Sequence, residues 1–166
     1  MSCVVALKDH GSIYLASDSM ITTDYGPRLD VSPKFHKLND TVWFGSTGRM
    51  RFSQMMRHRP FNIRDKAISK DDVVEWVFNM RDNIPTDFKY QCLVVGNNSI
   101  YYFNDDISVT ELEEKFFAIG SGAKYAMGVL EAIDAETSPL EKVRKAIAVA
   151  IKRDISCGGQ IHTQIV

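Results

Sequence analysis

Residues 1–10 read MSCVVALKDH: a small hydroxyl residue, Ser2, stands behind the initiator methionine, and five apolar residues, Cys3 to Leu7, follow without a break. Chain ends usually fray unless they are tied into a sheet. A strand with one wet face alternates apolar and polar residues, so an unbroken apolar run predicts a strand covered on both faces. The same stretch carries chemistry of its own. Removal of Met1 would leave Ser2 with a hydroxyl nucleophile and an α-amine on one residue.

Working outward, strands are predicted at Ile13–Ala16, at Lys34–Leu38 and at Thr41–Phe44 behind the turn pair Asn39-Asp40. Helices follow at Met50–His58 and Ser69–Asn83. In the second, Ser69 caps, Asp71 and Asp72 fill the first turn, and Val73, Val77, Met80 and Ile84 keep helical spacing up to Pro85. The stretches QCLVV (91–95) and SIYYF (99–103) flank Gly96-Asn97-Asn98 as a hairpin, and Phe116–Ile119 reads as a further strand. Two helices come next. One covers Ala123–Ile133; the other opens on Ser138-Pro139-Leu140-Glu141, with a capping box and a stripe of Leu140, Val143, Ile147 and Ile151. A strand at Ile161–Val166 ends the sequence.

This order is not the alternation of a doubly wound sheet. It predicts an α+β four-layer αββα sandwich, two antiparallel sheets face to face with a helix pair outside each. With 166 residues and neither linker nor repeat, one domain spanning 1–166 is expected.

Composition removes several function classes. Twenty basic and 21 acidic residues leave a net charge of −1, without the field that draws in nucleic acid or an anionic membrane. The leading apolar run is far shorter than the roughly 20 residues of a membrane span, and it lacks the basic flank of a secretory signal. Cys3, Cys92 and Cys157 form no CxxC pair and the histidines no HExxH, so neither a disulfide framework nor a metal site is expected. A reducing cytoplasm fits best.

A terminal hydroxyl needs a base, and the α-amine of its own residue, with an ordinary pKa of about 7.7 to 8.0, can serve. It also needs a cation to favour the alkoxide and a set of N–H groups for the oxyanion. Candidates for these parts are Ser2, Lys34 at the head of the third predicted strand, Asp18 after the second, Gly45 in GSTG, Ser121 in IGSGAKYA, and Asp154. Cys3 faces away from Ser2 on a strand and reads as core.

Taken together, SCVVAL, LASDSMIT, SPKFHKL, VWFGSTG, FFAIGSGAKYA and DISCGG give a sequence that resembles the proteasome β-type peptidases of the N-terminal nucleophile hydrolases, in particular the proteasome-like proteins of bacteria and their phages. The resemblance runs over essentially the whole chain. It implies that Ser2 stands for the N-terminal nucleophile, Asp18 and Lys34 for its charged partners, and Gly45 for the oxyanion glycine. It further implies that Ser121, Asp154 and Cys157 order the amine, and that Trp43 and Ser32 are substrate-binding residues. Two positions depart from the family pattern: Ser2 replaces threonine, and Cys157 replaces serine. The resemblance also implies a homo-oligomeric ring, with Met50, Phe52, Met55 and Met56 of GRMRFSQMMRHRP (48–60) at its contacts. A peptide or protein substrate, no cofactor and, as an option, an unfoldase ATPase partner are implied too. Two other readings stay open: an amidase acting on a small acylated metabolite, and a non-catalytic ring or scaffold subunit.

Overall fold

The computed structural model describes residues 2–23, 26–29, 32–62 and 67–166. The chain opens with hairpin β1 (Val4–Asp9) and β2 (Ser12–Ser17), turned at His10-Gly11 where both residues have positive φ. A small hairpin of β3 (Met20–Thr23) and β4 (Gly26–Leu29) follows, then β5 (Phe35–Lys37) and β6 (Trp43–Gly48). Helices α1 (Met50–Arg57) and α2 (Lys70–Phe78) separate these from β7 (Tyr90–Gly96), β8 (Ser99–Asn104), β9 (Thr110–Leu112) and β10 (Phe116–Ile119). Helices α3 (Ala123–Ala132) and α4 (Pro139–Arg153) and strand β11 (His162–Ile165) complete it.

Two larger sheets result, in the orders β10-β1-β2-β11 and β5-β6-β7-β8-β9, with antiparallel neighbours throughout. Three apolar clusters define the layers. Val4, Ala6, Leu15, Leu93 and Ile100 fill the space between the sheets. Cys3, Val5 and Leu7 meet Ala126, Leu130, Val143, Ile147 and Ala150 of α3 and α4. On the far side Phe44, Val94 and Phe103 meet Phe52, Met56, Val73, Trp76 and Val77 of α1 and α2. The expected αββα sandwich is present, and β1 contributes alternate residues to two of its cores, which is why CVVAL lacks polar members.

Several boundaries differ from expectation. Strand β6 does not stop at Phe44 but runs through Gly45 to Gly48, paired with β7 from Trp43↔Val95 to Gly48↔Tyr90. Gly45 is therefore a strand residue rather than part of a turn. A side chain there would bring a Cβ within 3.0 Å of Val4 Cγ1, so the glycine lets β1 and β6 approach. Helix α2 ends at Phe78, and a 3₁₀ turn at Arg81–Asn83 takes up the rest of the expected helix. Asn79, Asp82 and Asn83 are poor helix formers, and Pro85 follows closely. Phe52 and Met56, expected at a subunit contact, are core residues, 0% and 1% exposed. Among the described residues no helix is long and apolar enough to cross a membrane.

Candidate active site

Ser2 lies just ahead of β1 and lines a cleft of about 580 Å³. Its carbonyl accepts the N–H of Gly122 at 3.3 Å. Gly120, with φ of +94°, closes over it so tightly that a Cβ there would stand 2.1 Å from the Ser2 carbonyl oxygen. The Gly120 N–H is itself held by Gln91 Oε1 at 2.8 Å. The position of Ser2 is thus set by the β10–α3 turn and by the sheet that carries Gln91.

Asp18, fully buried after β2, ties the chain start to its C-terminal loop. Its carboxylate accepts the Cys3 N–H at 2.9 Å and the Gly158 N–H at 3.1 Å. Burial pushes its pKa up, while Lys34 and the amides of Cys3, Gly158 and Met20 oppose the shift. Lys34 stands close by: its Nζ donates to the Met20 carbonyl at 2.5 Å, and its N–H is anchored on Ser17 Oγ at 3.1 Å. Lys34 lines the same cleft as Ser2.

A second polar cluster lies on the α3–α4 side. Cys157 donates through Sγ to Asp154 Oδ2 at 3.6 Å, and the Ser156 N–H reaches Asp154 Oδ1 at 2.9 Å. Partial burial works to raise the Asp154 pKa, but Ser121, Ser156 and Cys157 outweigh it and hold the carboxyl below its usual range. The Ser121 Oγ is buried and makes no hydrogen bond of good geometry among the described residues, although it lies near enough to influence both Asp154 and Cys157. Burial, with Asp18 and Asp154 nearby, pushes the Cys157 thiol up to about 12. It stays protonated and can only donate weakly.

The structure does not bring Gly45 or Trp43 to the cleft. Backbone N–H groups alternate in direction along a strand. The Ser46 N–H goes to the Lys34 carbonyl on the β5 side at 3.0 Å, so that of Gly45 turns into the ladder with β7. Trp43 packs edge-on against Phe35, ring centroids 6.1 Å apart, at the rim of the inter-sheet core. The same alternation points the Gly48 N–H toward the β5 side, past the end of that strand. Gly48 lines the cleft, as do Thr47 and Ser32. A period of two, counted through GSTG as a continuation of the strand, singles out Gly48; ending the strand at Phe44 conceals it.

With this geometry in view, relatives can be compared. The family model described as Proteasome subunit matches residues 91–166. Solved structures match nearly the whole chain. HslV from Trypanosoma brucei, a eukaryotic form, superposes with a TM-score of 0.78 at 15% identity, covering 98% of both chains. Thiobacillus denitrificans BPH superposes with a TM-score of 0.83 at 17% identity, and its complex with epoxomicin with 0.84 at 16%. Each of these two comparisons covers 99% of this chain and 97% of the other. The family model covers residues 91–166 alone, and the solved structures share the fold of nearly the whole chain. No curated protein sequence matches the chain. In this proteasome-type fold Ser2, Lys34, Thr47 and Gly48 come together at one cleft, with Asp18 buried beside Lys34. Ser121, Asp154 and Cys157 form the adjoining cluster.

Proposed function

We propose that the protein is an N-terminal nucleophile peptidase that cleaves amide bonds through a Ser2 acyl-enzyme once Met1 has been removed. The observation that carries this reading is the shared cleft of Ser2 and Lys34, with Asp18 joining the chain start, the lysine and the Gly158 loop. The α-amine of Ser2 takes the proton from Oγ as Oγ attacks the substrate carbonyl. The ammonium of Lys34 favours the alkoxide and, as a like charge, keeps the amine neutral. The tetrahedral oxyanion is met by the Gly48 N–H rather than by that of Gly45, which is turned into the β6–β7 ladder. The amine then gives its proton to the leaving nitrogen, the C–N bond breaks, and water, deprotonated by the same amine, releases the acid. Asp154, Ser121 and Cys157 orient the amine from behind.

The likeness to HslV and BPH supports peptides over small acylated metabolites as substrates. The same likeness favours a cytoplasmic homo-oligomer, with an ATPase as a partner to be sought. The reading is tested by the intact mass of the purified chain together with peptide hydrolysis. A chain lacking Met1 that hydrolyses peptides is expected, with Lys34→Ala lowering kcat by about a hundredfold or more while the fold survives. A mature chain that begins with methionine would reject the mechanism and leave the scaffold reading.

A further inference from the structure

We propose that the cleft selects acidic substrates, with Arg51 and Arg57 of α1 holding carboxylate side chains that flank the cleaved bond. The proposal takes the peptidase reading for the kind of molecule bound, but its basis is charge. Among the described residues lining the cleft, Lys34, Arg49, Arg51 and Arg57 are cationic and none is Asp or Glu. The chain as a whole carries a net charge of −1, so this sign is local. Elsewhere Lys37, Arg81, Lys89, Lys115 and Lys145 pair with a carboxylate while others, such as Lys124, Lys152 and Arg153, have none among the described residues, so what marks the cleft is that its cations stand together without an acidic neighbour in the lining. Among the described residues no carboxylate pairs with Arg49, Arg51 or Arg57, and all three are exposed.

The start of α1 adds a second observation. Its N-cap, Arg49, makes no side-chain cap bond, and its first turn holds no acidic residue. A helix start carries a partial positive charge and orphan N–H groups, which favour Asp, Glu or a bound anion. Here the first turn carries arginine instead, and Met50 and Arg51 line the cleft. Cations at this end of a helix are unfavourable in the free protein, and an anion in the cleft relieves them. The field reaches inward as well: burial and then the charges of Arg57 and His58 bring the buried His36, another lining residue, down to about 4. A cleft of about 580 Å³ lies within the size range of ligand pockets. It accommodates a short run of peptide, and the matching feature is a carboxylate within a few residues of Ser2.

The test uses three synthetic peptides identical except at the positions around one bond, which carry Glu, Gln or Lys. Binding is measured by fluorescence anisotropy on full-length Ser2→Ala protein, and cleavage separately on wild type. The Glu peptide is expected to bind about tenfold tighter than its Gln twin at low salt, with the margin shrinking as salt rises and the Lys peptide weakest. The double variant Arg51→Gln/Arg57→Gln should bring the Glu and Gln peptides to within about twofold of each other, with its melting temperature checked by circular dichroism. Equal binding of the three peptides, or a preference that survives in the double variant, overturns the proposal. Preferential binding of the Glu peptide without cleavage by wild type keeps the acidic selectivity and rejects the peptidase reading instead.

Discussion

His36 packs against the ring of Phe44 at 5.1 Å beneath the cleft, 8% exposed, with Nε2 buried and lacking a hydrogen-bond partner among the described residues. Burial, aided by Arg57 and His58, lowers its pKa from 6.5 to about 4. The unfolded chain therefore binds a proton that the folded chain refuses between those values. The contribution is present above pH 6.5 and is lost as pH falls toward 4, amounting to roughly 3 kcal/mol. Urea unfolding at pH 7 and pH 4 should show His36→Gln losing about that much less stability than wild type over the interval. An identical loss in both proteins rejects the account. At this scale the sequence is uneven. The neighbourhood of Ser2, Asp18 and Lys34 is legible only through the motifs SCVVAL, LASDSMIT and SPKFHKL taken together, because each residue alone reads equally well as an ordinary terminus, turn or strand edge. The neutral His36 and the cleft-lining Gly48 are not, since both depend on what β1, α1 and the end of β5 bring up from elsewhere in the chain.

Helix starts test how local signals survive packing. Ser69 and Asp72 form a complete capping box: the Asp72 N–H reaches Ser69 Oγ at 3.2 Å and the Ser69 N–H reaches Asp72 Oδ2 at 2.9 Å. At α4 only one half is made. The Glu141 N–H reaches Ser138 Oγ at 3.4 Å, while the Glu141 carboxylate pairs with Lys145 at 2.9 Å. Ser69→Ala should accordingly cost about 1 to 2 kcal/mol, and Ser138→Ala about 0.5 kcal/mol. Chemical denaturation of the two variants side by side checks the order, and equal costs would show that the second bond of the box adds nothing. Long amphipathic elements such as α4 are readable because their stripe repeats over four turns. The hairpin β3–β4 and strand β9 are not: the segments MITT, GPRL and TEL are short and mixed, and Pro27 argues against a strand. Strand β9 is set by its pairing to β8, Ile100↔Leu112 among others, and not by a pattern of its own.

At the scale of the molecule the question is whether two helix-covered sheets unfold together. The layers are joined through the inter-sheet core, where Leu93 of β7 and Val4 of β1 are fully buried, and through Asp18, whose carboxylate holds the chain start and the Gly158 loop at once. Neither outer cluster closes without a sheet that also faces the other, so we expect one cooperative unit over the whole chain. Leu93→Ala removes inter-sheet packing without touching either helix pair, and its expected cost is about 3 kcal/mol. In a Trp43→Phe background the remaining tryptophan, Trp76, reports the α1–α2 side by fluorescence, and far-UV circular dichroism reports all four helices. In that background, with and without Leu93→Ala, the two probes should trace one transition, shifted as a whole to lower urea in the variant. If the variant instead shows Trp76 melting ahead of the helical signal, the sheets are separable units, and Ser2 and Lys34 then owe their common cleft to a docking of two parts rather than to one fold.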